Sequence, residues 1–210
     1  MASHKSGIVW FAFSSDVKAK GVPMKPVAPT PPVKPEKPVI RASYHVDILH
    51  VRPQLGKGAL DEADADINGG TIKTGSIVKF ALRTSAFPAD HETIDSVVFR
   101  DTLPDDYEID LDATKASSPD YDVSYDGGSR SLVFTAKPPL IAQINADLGK
   151  AAEVPAPMVI GKVTKGGITY ENSFDIDINN SYSAKSNTVK VQTPKAPIIL
   201  PAAGGPGILS

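Results

Sequence analysis

An amine, a carboxyl and a carboxamide held together away from water can fuse into an amide without outside help, and this chain carries candidates for all three. The stretch VVFRDTLPDDYEI, residues 97–109, alternates apolar and polar side chains up to Arg100 and then sets Asp101 at the strand end, before Leu103-Pro104 and an acidic turn. Period-two alternation describes a half-buried strand, so Asp101 stands where a carboxyl is held at the edge of a core. Two more polar groups matter with it: Lys57, upstream, and Asn187, in the final strand. An exposed lysine is protonated at neutral pH, and an ammonium is no nucleophile. Burial among aliphatic side chains disfavours the charge and frees the amine. The same desolvation keeps an aspartic acid protonated, able to polarise an asparagine carbonyl by hydrogen bonding to it. The amine attacks Cγ, the acid relays the proton, and ammonia departs; folding contributes the proximity. Each molecule reacts once, so such a chain matures itself and is no enzyme.

These groups need a scaffold. From 39 to 194 the sequence reads as all-β: a two-sheet, immunoglobulin-like β-sandwich with one short inserted helix. Strands are expected at 42–51, 53–60, 71–73, 76–84, 94–101, 106–110, 121–125, 131–136, 157–165, 168–178 and 186–193. Asn68-Gly69-Gly70 and Asp126-Gly127-Gly128 are hairpin signals, since glycine accepts positive φ. The helix is expected over 138–150, where Leu140, Ile141, Ile144 and Leu148 recur at helical spacing between a leading proline and Gly149. Residues 1–21 read as an extension or the end of a preceding domain. Residues 22–38, with proline at every second or third position, read as a polyproline II spacer. Residues 195–210 form a Pro/Gly-rich tail.

Composition narrows the function. With 210 residues and a net charge of −2, there is no basic footprint for nucleic acid or an anionic membrane. No run of ~18 apolar residues is present to span a bilayer. Cysteine is absent, which points to a reducing compartment or to some other covalent staple. No cofactor motif and no metal-ligand spacing is found; His4, His45, His50 and His91 form no metal pattern.

Several strings are specific in combination: RPQLGK (52–57), SIVKFALRTSAFPA (76–89), VFRDTLPDDYEI (98–109), DATKASSPDYDVSYD (112–126), INADL (144–148) and KSNTVKVQTP (185–194). In this order they resemble the C-terminal domains of the antigen I/II family of Gram-positive surface adhesins, most closely the first such domain after the proline-rich stalk. The resemblance implies a structural stalk domain, extracellular and anchored to the cell wall, with a self-formed Lys–Asn isopeptide bond. Matched motif by motif, the implied cross-link joins Lys57 to Asn187, and Asp101 assists. Lys73 and Lys79 remain alternatives to Lys57, because Gly56 loosens the strand register there. The implied partners are host salivary or matrix proteins, or partner cells, reached through the full-length adhesin; the domain is expected to be a monomer. The alternative reading is that this domain is itself the binding module.

Three other signals compete. DADINGG resembles the opening of a calcium loop, with Asp64, Asp66 and Asn68 at alternate positions, but the closing glutamate position is Gly75. A penicillin-binding pattern assembled from Ser15, Lys18, Lys73-Thr74-Gly75 and Tyr170-Glu171-Asn172 has its elements in the wrong order. LPAAGG, 200–205, resembles a sortase signal with Ala203 in place of threonine.

Overall fold

The computed structural model of the chain describes residues 50–195. The expected N-terminal extension, proline spacer and LPAAGG signal lie outside the described residues. In chain order the elements are β1 (Leu55–Leu60), β2 (Ile77–Thr84), β3 (Val97–Thr102), β4 (Tyr107–Ile109), α1 (Leu111–Ala116), β5 (Tyr121–Asp126), β6 (Ser131–Ala136), α2 (Pro138–Ile144), β7 (Met158–Val163), β8 (Thr169–Asn172), β9 (Phe174–Ile178), β10 (Tyr182–Lys185) and β11 (Val189–Gln192). They form an all-β sandwich. One sheet runs β1-β2-β7-β4, the other β10-β9-β3-β6-β5, and β11 and β8 form a two-stranded ribbon. Pairing between neighbouring strands is antiparallel throughout these sheets.

Alternation dictates the core. Phe80 and Leu82 from β2, Phe99 from β3, Phe134 from β6 and Phe174 and Ile176 from β9 point inward and belong to one buried cluster. Phe99 packs edge-on against Tyr121, with ring centroids 5.7 Å apart, and tilted against Phe174 at the same separation. Such arrangements suit the ring quadrupoles.

The strands differ from the sequence reading in instructive places. The expected strand at 71–73 is only a single bridge from Thr71 to Gln192. Of the expected strand 42–51, only His50 and Val51 are described, and neither is in a strand. The long strand expected at 168–178 is two, because the chain leaves the ribbon and enters the five-stranded sheet at Ser173. Asn172 pairs with Val189 on one side of the switch, and Phe174 pairs with Asp101 on the other.

Among the described residues two helices are present where one was expected. The extra helix, α1, replaces β4 as the partner of β7 once β4 has ended. Asp110 caps it by accepting a hydrogen bond from the Ala113 amide at 2.9 Å. The buried hydroxyls of Thr114 and Ser118, one helical turn apart, accept from the amides of Ile160 and Met158 at 3.0 Å each. This gives the ATKASS string a physical role: it continues the ladder with side chains. The expected helix at 138–150 closes earlier, at Ile144, with Asn145 as its C-cap. The Asn145 carboxamide then clamps Ile94, accepting from its amide at 2.9 Å and donating to its carbonyl at 2.7 Å.

Candidate functional site

Three elements from three different sheets converge on one buried point. On β1, Lys57 takes an inward position and its side chain is fully withdrawn from water. On β3, Val97, Phe99 and Asp101 share the inward phase, and Asp101 is completely buried. On β8, Tyr170 and Asn172 point inward, and Asn172 is 3% exposed. Lys57 Nζ donates a short hydrogen bond to Asp101 Oδ2, and a longer one, 3.4 Å, to the Ser173 carbonyl. Asn172 Nδ2 donates to the same Asp101 Oδ2 at 3.4 Å. One carboxylate oxygen therefore touches both the amine and a carboxamide.

The walls are apolar. Lys57 Nζ lies 5.0 Å from the Phe80 ring centroid and 6.0 Å from that of Phe174. Just beyond Asp101, the Leu103–Asp106 turn is pinned by Arg130. Its guanidinium donates to the carbonyls of Leu103, Pro104 and Tyr107 at 3.2, 2.5 and 2.6 Å. The strand end that carries the carboxyl is thus held from the far side.

Burial sets the protonation of this pair. Loss of hydration lowers the Lys57 amine from its ordinary 10.5 to about 8, and the attraction and hydrogen bond of Asp101 only partly oppose this. Loss of hydration likewise raises the Asp101 carboxyl above its ordinary range; the charge and hydrogen bond of Lys57, and the hydrogen bond from Asn172, pull it back. Both shifts run toward a neutral amine beside a neutral acid. Two oxygens at the site, Asp101 Oδ1 and Asn172 Oδ1, are buried without a hydrogen-bond partner. Native cores rarely leave such atoms unpaired.

Lys57 and Asp101 are brought together as the sequence reading had them. Asn187 is placed differently. It is exposed, and its carboxamide engages the main chain of Lys57: Oδ1 accepts from the Lys57 amide at 2.7 Å and Nδ2 donates to the Lys57 carbonyl at 3.1 Å. The carboxamide that shares the Asp101 carboxylate with the amine is that of Asn172, whereas Asn187, which the sequence reading placed there, is committed to the backbone. A signal for Asn172 was present. In ITYENSFDIDI the inward phase runs Ile168, Tyr170, Asn172, Phe174, Ile176, Ile178, and Asn172 is its one strongly polar member.

The alternative lysines are elsewhere. Lys73 is exposed, and Lys79 binds Asp64 at 2.8 Å and the Glu62 carbonyl at 2.9 Å. The calcium-like loop is organised as turns. Asp61 accepts from the amides of Ala63 and Ala65, Asp66 from that of Asn68, and Asn68 from that of Lys190, all at 2.9 Å. Among the described residues no group of three His, Cys, Asp or Glu side chains is placed to hold a metal ion. No helix among them is long and apolar enough to cross a membrane.

No family model matches the sequence. Solved structures do resemble the fold. The C-terminal domain of the AgI/II polypeptide BspA of Streptococcus agalactiae matches over 67% of this chain and 50% of that one, at 20% identity and a TM-score of 0.54. The C-terminal domain of the antigen I/II-family protein AspA of Streptococcus pyogenes matches over 67% of this chain and 46% of that one, at 20% identity and a TM-score of 0.46. The likeness is one of fold, and the chain spans about half the length of these structures.

Proposed function

We propose that this is a structural domain of a bacterial surface adhesin that staples itself shut with an isopeptide bond between Lys57 Nζ and Asn172 Cγ. The carrying observation is a buried carboxyl, Asp101, whose Oδ2 receives both the Lys57 amine and the Asn172 carboxamide. Passing the proton of Lys57 to Asp101 turns an ion pair into a free amine and a neutral acid without changing the charge of the site. With the carboxamide rotated half a turn, Asn172 Oδ1 takes the place of Nδ2 beside Asp101 Oδ2 and accepts from the protonated acid, which gives that unpaired oxygen a partner. The amine then attacks Cγ. Asp101 gives its proton to the departing nitrogen and takes in its place the one released by Nζ, so the products are one amide and one ammonia, with Asp101 again the neutral acid.

The staple explains what else holds a chain without cysteine. It joins β1 to β8 and closes a loop of 172 − 57 = 115 residues. If it acts as a disulfide does, restricting the unfolded chain, it stabilises the domain by roughly 5 kcal/mol. Tension on the chain would then run through a covalent link, which suits a stalk under shear. A wall-anchored, extracellular setting and host-protein or partner-cell recognition by the longer adhesin belong to the same proposal, supported by the likeness to antigen I/II domains. The test is the intact mass of the purified chain: a deficit of one ammonia supports the reading, and the full mass of the sequence rejects it.

A further inference from the structure

We infer that Asn187 is a positioning residue for the cross-linking reaction, aligning the Lys57 amine by clamping its main chain; this rests on the cross-linking reading above. Lys57 sits between Gly56 and Gly58, so neither chain neighbour offers a side chain to fix the backbone, and glycine is the least restrained residue there is. The neighbouring strand pairs with Gly56 and Gly58 but leaves the amide and carbonyl of Lys57 itself unbonded. Lys57 stands opposite Leu82, yet the Leu82 amide donates away from β1, to the Pro157 carbonyl at 3.0 Å. Lys57 and Leu82 are thus a non-hydrogen-bonded pair, and the amide and carbonyl of Lys57 face the open edge of the sheet.

Asn187 closes that edge. Its carboxamide meets both groups, 2.7 Å from the amide and 3.1 Å from the carbonyl, across 130 residues of sequence. It acts as a strand one peptide wide, reaching in from the segment that leads to β11. The side chain that emerges between these two clamped groups is the one that must meet Asn172. A displacement of about 1 Å at a reacting atom can slow a positioned reaction on the order of a hundredfold.

The fold contains its own control. Asn145 clamps Ile94 in the same two-bond way, but on a residue outside the triad. The full chain is recovered unfolded in urea, refolded by dilution, and followed by circular dichroism for folding and by intact mass for ammonia loss. Asn187→Ala is expected to fold and then lose ammonia on the order of tenfold to a hundredfold more slowly than wild type. The pH at which its rate changes should match wild type, because the Lys57–Asp101 pair is untouched. Asn145→Ala should cost similar stability and keep the wild-type rate. Should Asn187→Ala not fold, Asn187→Asp keeps the acceptor for the Lys57 amide, loses the donor to its carbonyl, and should be slowed less. A wild-type rate in the folded Asn187 variant, or equal slowing in the Asn145 variant, overturns the inference. If wild type itself loses no ammonia, it is the cross-linking reading that fails.

Discussion

Lys57 and Asp101 face each other across the two sheets of the sandwich, 44 residues apart in sequence, with both side chains wholly withdrawn from water. A buried ion pair is poor value for stability alone, since desolvating two charges offsets most of their attraction. In the proposed reaction the pair serves as a reactant and its proton carrier, next to a carboxamide.

Replacing Asp101 removes the carrier. Asp101→Ala should retain the full, ammonia-containing mass. It should also be less stable than the cross-linked parent by more than the staple's roughly 5 kcal/mol, since a buried amine is left without its partner as well. If the alanine variant does not fold, Asp101→Asn preserves the shape and should likewise keep the full mass. Ammonia loss in a folded variant would show that Asp101 has no part in the chemistry.

The two asparagines give opposite outcomes. Asn172→Ala should abolish the cross-link and lower the thermal midpoint by about 10–20 °C, as expected for the loss of roughly 5 kcal/mol in a domain of this size. Asn187→Ala should still form the bond. Intact mass of both variants, corrected for the substitution, separates them.

Acidity gives a third handle. In the uncross-linked Asn172→Ala variant, Lys57 holds its proton less tightly when folded, about 8 against 10.5. The unfolded chain therefore binds more protons between those values, and stability should rise with pH across that window, by roughly 3 kcal/mol. Urea titrations from about pH 8 upward would show the midpoint moving upward. The reaction should behave in the opposite sense. Its productive form holds one proton, placed on Asp101, so ammonia loss in refolding wild type should slow above about pH 8 as that proton is lost.

Gly161 tests the scaffold without touching the triad. A Cβ there would lie 2.6 Å from the Tyr107 ring and press on the Glu108 carbonyl. Gly161→Ala should therefore force β4 away from β7 and destabilise the domain by roughly 2 kcal/mol, read as a lower urea midpoint.

Much of this arrangement is written in the pattern of side chains. Alternation places Asp101 on an inward face, the Asp126-Gly127-Gly128 turn joins β5 to β6, and most strands stand close to their expected bounds, whereas Asn68-Gly69-Gly70 joins no pair of strands. What the sequence hides depends on contacts between distant segments. Nothing local in ITYENSFDIDI marks Ser173 as the point where the chain changes sheets, so Asn172 reads as one residue in a long strand. α1 has six residues, too few to establish a helical period, and its purpose is visible only against the β7 amides it receives. β10 carries only half-buried and exposed residues, leaving no apolar phase to find. Asn187 misleads for a related reason: it does approach Lys57, but through the backbone.

The most direct test is peptide mapping of the purified wild-type chain by mass spectrometry. The account predicts a branched species in which the Lys57 peptide is joined to the Asn172 peptide, lighter than their sum by one ammonia. Recovery of the two as separate, unmodified peptides, or a branch from Lys57 to Asn187, would contradict it.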